Sequence, residues 1–124
     1  MQVRELNHVA LHVADVEASC RFYEECLRLA RLPRPAFSFP GAWFRLGSQQ
    51  ELHLIGGRDP KSDSGGHRRG NHYALLVDDL AAWAEHLRAC DVPFEGPRDR
   101  PDGAQQIFLR DPDGHVIELC TSPP

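Results

Sequence analysis

The sequence predicts an α+β fold in which two tandem βαβββ modules form a curved eight-stranded sheet, with helices outside and a concave cleft inside. Residues 7–15 and 71–79 match at six of nine positions after a shift of 64, which indicates an internal repeat. Residues 52–54 align with residues 117–119 after a shift of 65, so the last strands of the two copies correspond. Each copy also opens on an alternating strand pattern that passes into an apolar stripe of helical period.

Composition and charge narrow the class of protein. The chain has 124 residues with 41% hydrophobic and 26% charged residues, which is typical of one globular domain. A net charge of -4 gives no reason to expect nucleic acid or an anionic membrane as a partner. No apolar run approaches the ~20 residues of a membrane span, no signal peptide is apparent, and the four cysteines lack C-x-x-C spacing. We therefore expect a cytoplasmic protein with free thiols.

Module 1 is expected over about residues 5–56. It begins with an alternating strand over 5–13, and Asp15 is the expected N-cap of a helix that runs to about Leu29. Prolines then divide the chain into short extended pieces. Two further strands are predicted, at 43–46 and at 51–55.

Module 2 is expected over about residues 70–121, after a linker over 57–69. Its predicted elements follow the plan of module 1: a strand at 71–77, a helix at 79–89, and strands at 92–95, 105–110 and 115–120. The segment 56–70 has five glycines and no hydrophobic side chain, so it is either a plain connector or a lid whose His67, Arg68 and Arg69 reach a ligand.

Four side chains are predicted to share the concave surface. Strand alternation places them opposite the aliphatic positions that face the helices; they are His8, His53, His72 and Glu118. Three imidazoles and a carboxylate in one cleft are typical of a divalent metal site, with Zn, Ni, Fe, Co or Mn as candidate ions. His12 shares the face of His8, and Glu51 shares the face of His53.

Several motifs resemble the vicinal oxygen chelate superfamily, also called the glyoxalase/bleomycin-resistance/extradiol-dioxygenase superfamily. They are Asn7-His8 with the following Val-Ala-Leu-His-Val-Ala-Asp, Phe22-Tyr23, Asn71-His72, and Asp111-Pro112-Asp113-Gly114-His115 running into Ile117-Glu118-Leu119. The resemblance implies a metal held by His8, His72 and Glu118 on paired βαβββ modules. His53 stands where glyoxalase I typically has Glu or Gln. His12 matches a position that contacts an anionic substrate group, and it could also carry a proton.

Three functions remain open at this point, each with a small-molecule substrate. A glyoxalase-like lyase or isomerase would use the metal as a Lewis acid, with Glu118 as ligand and base or with Glu51 as the base. An extradiol-type non-haem iron dioxygenase would use His8, His72 and Glu118 as its triad. A fosfomycin- or bleomycin-type resistance protein is the third. The resemblance also implies a homodimer.

Overall fold

The structure is a computed structural model that describes residues 1–57, 59–60 and 68–124. The chain divides into two compact units, residues 1–60 and 61–124. The predicted linker and lid fall largely on residues 58 and 61–67, so His67 lies outside the described residues. The assignment of both modules to a single domain stays a prediction.

Unit 1 is a four-stranded sheet with one helical segment. Its elements are β1 His8–His12, α1 Val16–Arg21, a π-helical turn Phe22–Cys26, β2 Arg31–Leu32, β3 Gly41–Leu46 and β4 Gln50–Ile55. The strand order is β1-β4-β3-β2, and β1 is parallel to β4 while the other pairs are antiparallel. The long connection from β1 through the helical segment, β2 and β3 allows this parallel pair, since parallel neighbours cannot be joined by a tight turn.

The two faces of the unit 1 sheet differ as the alternation predicts. Leu52 and Leu54 are almost fully buried, and so are Phe44 of β3 and Tyr23 of the π-helical turn. Between the buried leucines, His53 is only partly buried. One face of β4 therefore belongs to the apolar core, which leaves the other face for polar chemistry.

Two predictions in unit 1 need correction. The helix expected to reach Leu29 ends at Cys26. The Leu27 N–H makes the last helical bond, to the Phe22 carbonyl, and Arg28 then adopts a left-handed φ of 56°. Such a residue ends a helix, although glycine is the usual choice there. The second strand was expected among the short extended pieces that the prolines divide. It is instead Arg31–Leu32, before the first of those prolines.

Unit 2 repeats the same plan. Its elements are β5 His72–Leu76, α2 Leu80–Ala89, β6 Phe94–Asp99, β7 Gln105–Arg110 and β8 Val116–Cys120. The strand order β5-β8-β7-β6 is that of unit 1, and β5 is parallel to β8. Asp79 caps α2 by accepting a hydrogen bond from the Ala82 N–H, as Asp15 caps α1 through the Ala18 N–H. The strand predicted at 92–95 is longer than expected and runs to Asp99.

The predicted α+β fold of two tandem βαβββ modules is confirmed. Among the described residues, the eight strands form two four-stranded sheets, because each module pairs its own first strand with its own last one. In the same part of the chain, no helix is long and apolar enough to cross a bilayer.

Candidate metal centre

Strand register aligns equivalent side chains of the two units in matching rows. In unit 1, β4 places Glu51 between Arg45 of β3 and His8 of β1. In unit 2, β8 places Val116 between Arg110 of β7 and His72 of β5. The histidines that open the two repeats therefore occupy the same place in their sheets.

A second row of each sheet holds the other predicted ligands. His53 lies between Trp43 and Ala10. Its counterpart Glu118 lies between Phe108 and Ala74. In unit 1 the carboxylate belongs to Glu51, two residues before His53, the counterpart of Glu118. The two modules thus share strand positions but place different residue types on them.

His72 and Glu118 form the best-defined pair of predicted ligands. His72 Nε2 lies 3.1 Å from Glu118 Oε2, and His72 Nδ1 lies 2.8 Å from the Gly70 carbonyl oxygen. A carbonyl oxygen only accepts hydrogen bonds, so Nδ1 carries the proton and Nε2 of a neutral ring presents a lone pair. Two acceptors then face each other, and a cation must lie between them: a second proton or a metal ion.

The surroundings of Glu118 hold its carboxylate in place. Glu118 is 5% exposed, and its Oε1 accepts a hydrogen bond of 2.7 Å from Gln106 Nε2. The His72 and Phe108 rings pack nearly at right angles, with their centroids 5.7 Å apart. Metal sites usually have such supporting hydrogen bonds, one to the ligating carboxylate and one from the far nitrogen of the ligating histidine. Gln106 and the Gly70 carbonyl supply them here.

These residues fit a divalent ion. Two atoms 3.1 Å apart can both lie within the roughly 2.0–2.2 Å at which nitrogen and oxygen ligands bind such ions. Imidazole with carboxylate is also a donor set that transition metals accept. The fit rests on the orientation of the His72 lone pair and on the burial of Glu118.

In unit 1, His8 is oriented like His72. Its Nδ1 lies 2.8 Å from Asn7 Oδ1, which leaves Nε2 as the free nitrogen of a neutral ring. The ring stacks on His53 with centroids 4.3 Å apart.

His53 is disposed differently from His8. Its Nε2 lies 2.9 Å from Glu51 Oε1, and a carboxylate oxygen accepts, so Nε2 is the donor. Trp43 covers the ring at a centroid distance of 4.0 Å. Arg45 Nη1 lies 3.8 Å from the other oxygen of Glu51. His53 and Glu51 thus form a hydrogen-bonded acid–base pair.

His12 and Cys120 lie at the ends of their strands. His12 closes β1 opposite Ile55, with its Nδ1 buried. Burial raises the pKa of the Cys120 thiol, and the charge of Glu118 raises it further. A raised pKa lowers the thiolate fraction, so Cys120 is poorly suited to act as a nucleophile.

The structure brings the predicted site residues together within each unit, as His8 with His53, Glu51 with His53, and His72 with Glu118. Within residues 1–57, 59–60 and 68–124, no group of three or more His, Cys, Asp and Glu forms a metal-binding cluster. Convergence of all four predicted ligands stays a prediction. Sequence reasoning missed Gln106 as the partner of Glu118. Strand alternation would have found it only once the register of β7 on β8 was known.

Comparison with known proteins points to one family. The family model described as the Glyoxalase/Bleomycin resistance protein/Dioxygenase superfamily matches residues 5–119. The Arabidopsis thaliana protein "Glyoxylase I 4" is 26% identical, over 97% of this chain and 72% of its own length. "Metallothiol transferase FosB" of Staphylococcus epidermidis is 29% identical, over 98% of this chain and 84% of its own length.

A solved structure supports the fold. The putative glyoxalase family protein from Bacillus anthracis superposes with a TM-score of 0.85 at 21% identity, and the match covers 98% of both chains. At this identity the likeness concerns the fold, which agrees with the two βαβββ modules.

Proposed function

Because the chain belongs to the Glyoxalase/Bleomycin resistance protein/Dioxygenase superfamily, we propose that it is a divalent-metal-dependent, glyoxalase-like lyase or isomerase. Its substrate would be a small molecule with two adjacent oxygen atoms. One observation carries the proposal: His72 Nε2 and Glu118 Oε2 face each other at 3.1 Å, while the Gly70 carbonyl holds the proton on the other ring nitrogen. The name of the relative "Glyoxylase I 4" supports the reaction class.

His72, Glu118 and His8 would hold the ion. Bound there, a divalent ion supplies Lewis-acid polarisation of substrate oxygens. His8 qualifies because the Asn7 side chain takes its Nδ1 and leaves Nε2 for a ligand. His53 is the weaker candidate, since Glu51 takes its Nε2.

Glu51 is the better of the two predicted bases. Glu118 is 5% exposed, and one of its oxygens faces His72 where the ion would bind. The Glu51 side chain is 24% exposed, and it is hydrogen-bonded to an imidazole that can pass a proton on. Glu51 would therefore move the proton between adjacent carbons, and His53 would orient its carboxylate.

The test uses methylglyoxal mixed with glutathione, which form a hemithioacetal that carries two adjacent oxygens. Thioester formation is followed with metal-loaded protein, and bound metal is measured on the same samples. We expect Glu118→Gln to lose metal and activity together. Glu51→Gln should keep the metal and lose about a hundredfold or more in kcat, which is the range of general-base contributions. Full activity of metal-free protein would contradict the proposal.

A thiol transferase is the second candidate. It is favoured by the relative named "Metallothiol transferase FosB" and by the hydrogen bond that removes His53 Nε2 from the ligand set. Three ligands, His8, His72 and Glu118, would then form the site. Thiol consumption in the presence of fosfomycin, with no thioester from methylglyoxal, would select this function over the first.

Assembly and location complete the proposal. We propose a homodimer in the cytoplasm, on the basis of the resemblance and of the free cysteines, which suit a reducing compartment. Light scattering on the purified protein gives the mass of the assembly directly, and a monomer at working concentration would contradict the dimer.

A further inference from the structure

A cavity of about 430 Å³ lies in unit 2. Its size falls within the range of small-ligand sites. Five apolar and three charged residues line it: Pro93, Phe94, Phe108, Leu109, Val116, Arg68, Arg110 and Glu95. Two cations and one anion leave a net charge of +1, which suits a singly charged anionic ligand with an apolar body.

Strand register places this cavity beside the His72–Glu118 pair. Val116 separates Arg110 from His72 in one row, so two strand spacings of ~4.8 Å set their backbones roughly 10 Å apart. Phe108 lies directly beside Glu118 in the next row, and its ring contacts His72. A small molecule lying over Val116 and Phe108 would have one end at Arg110 and the other at the pair.

The repeat shows what Arg110 lacks. Its counterpart in unit 1 is Arg45, which faces the carboxylate of Glu51 across β3 and β4 at 3.8 Å. In unit 2 the corresponding position is Val116, which carries no charge. Among the described residues, Arg110 and Arg68 make no ion pair. Because Val116 stands where unit 1 has Glu51, the Arg110 guanidinium at the cavity wall lacks the carboxylate partner that Arg45 has.

We propose that the cavity binds the carboxylate of the substrate through Arg110 and Arg68, with the apolar body of the substrate on Phe108 and Val116. This inference deepens the proposed function by naming the substrate class: apolar carboxylic acids whose oxygen-bearing end points towards His72 and Glu118. Arginine favours carboxylates because its planar fork donates two parallel hydrogen bonds. Glu95 favours a monoanionic carboxylate over a dianionic phosphonate.

Calorimetric titration tests the proposal with three probes of matched shape: 3-phenylpropanoate, the neutral 3-phenylpropan-1-ol and 2-phenylethylphosphonate, at a pH above the second ionisation of the phosphonate so that it is a dianion. The protein is the full chain in the presence of EDTA, so the result does not depend on metal binding. We expect the carboxylate to bind at least tenfold tighter than both the alcohol and the phosphonate. Arg110→Gln should weaken carboxylate binding about tenfold to a hundredfold and leave the alcohol unchanged.

Arg98→Gln is the matched control, because Arg98 is an exposed arginine of the same sheet that does not line the cavity. Equal losses in Arg110→Gln and Arg98→Gln, or equal affinity for acid and alcohol, would overturn the site. Phosphonate binding that is tighter than carboxylate binding would overturn the substrate class. If the carboxylate binds as expected but no metal does, the proposed function fails and the carboxylate site stands.

Discussion

Replacing Gln106 by leucine should weaken both the fold and the metal site. Gln106 Nε2 donates a 2.7 Å hydrogen bond to Glu118 Oε1, and Glu118 is 5% exposed. Its loss leaves a buried carboxylate oxygen without that donor, which costs about 1–3 kcal/mol of unfolding free energy. Because the hydrogen bond also orients a proposed ligand, metal affinity should fall about 10- to 100-fold. Urea unfolding of metal-free protein measures the first effect, and calorimetric metal titration measures the second.

Gln105→Leu is the control for this prediction. Gln105 precedes Gln106 in β7, is exposed, and donates a 3.1 Å hydrogen bond to Asp99. Its replacement should change stability by no more than about 0.5 kcal/mol and should leave metal affinity unchanged. Equal metal affinity in the two variants would refute the view that Gln106 supports Glu118 as a ligand.

Two further predictions concern backbone space and an exposed ion pair. Gly41→Ala should lower the free energy of unfolding by about 3 kcal/mol, because its Cβ would overlap the Leu54 carbonyl oxygen. Gly47→Ala should lower it by about 1 kcal/mol, because its Cβ would meet nothing within 4 Å and only the φ of +59° is unfavourable. Thermal unfolding that ranks the two variants in the reverse order would contradict this prediction. Hydrogen bonds from Arg100 lower the pKa of Asp102. The stability that this ion pair contributes is therefore present above the ordinary carboxyl pKa and is lost as the pH falls through the lowered value. Arg100→Gln should raise the Asp102 midpoint in an NMR titration, and an unchanged midpoint would contradict Arg100 as the cause of the lowered pKa.

The repeat made much of the fold predictable. A shift of 64 or 65 residues relates the first and last strands of the two modules. Strand alternation predicted aliphatic positions opposite the ligand face, and Leu52 and Leu54, on either side of His53, are buried in the core. The end of the first helical segment at Cys26 was harder to predict from the sequence, because Arg28 adopts a left-handed φ without the glycine that would signal it. The position of β2 was missed for a different reason: a strand of two residues is too short to show an alternating pattern.

For the candidate site, the sequence was sufficient to predict which residue types are candidate ligands and which strand face carries them. The sequence indicated that His72 and Glu118 correspond to His8 and His53, and the structure places each pair in neighbouring strands. The pairing of His53 with Glu51, the bond from Gln106 to Glu118, and the contrast between Arg45 and Arg110 all depend on strand register. Register is set by turn geometry and packing across strands, which the sequence pattern alone does not specify.

The most direct test of the central claim is the affinity of metal-free protein for Ni²⁺ or Zn²⁺, compared between the unmodified chain, Glu118→Gln and Glu51→Gln. We predict that the unmodified chain and Glu51→Gln bind one ion per chain with the same affinity, and that Glu118→Gln binds at least a hundredfold more weakly. Equal affinity of Glu118→Gln and the unmodified chain would contradict the assignment of the His72–Glu118 pair as the metal-binding element.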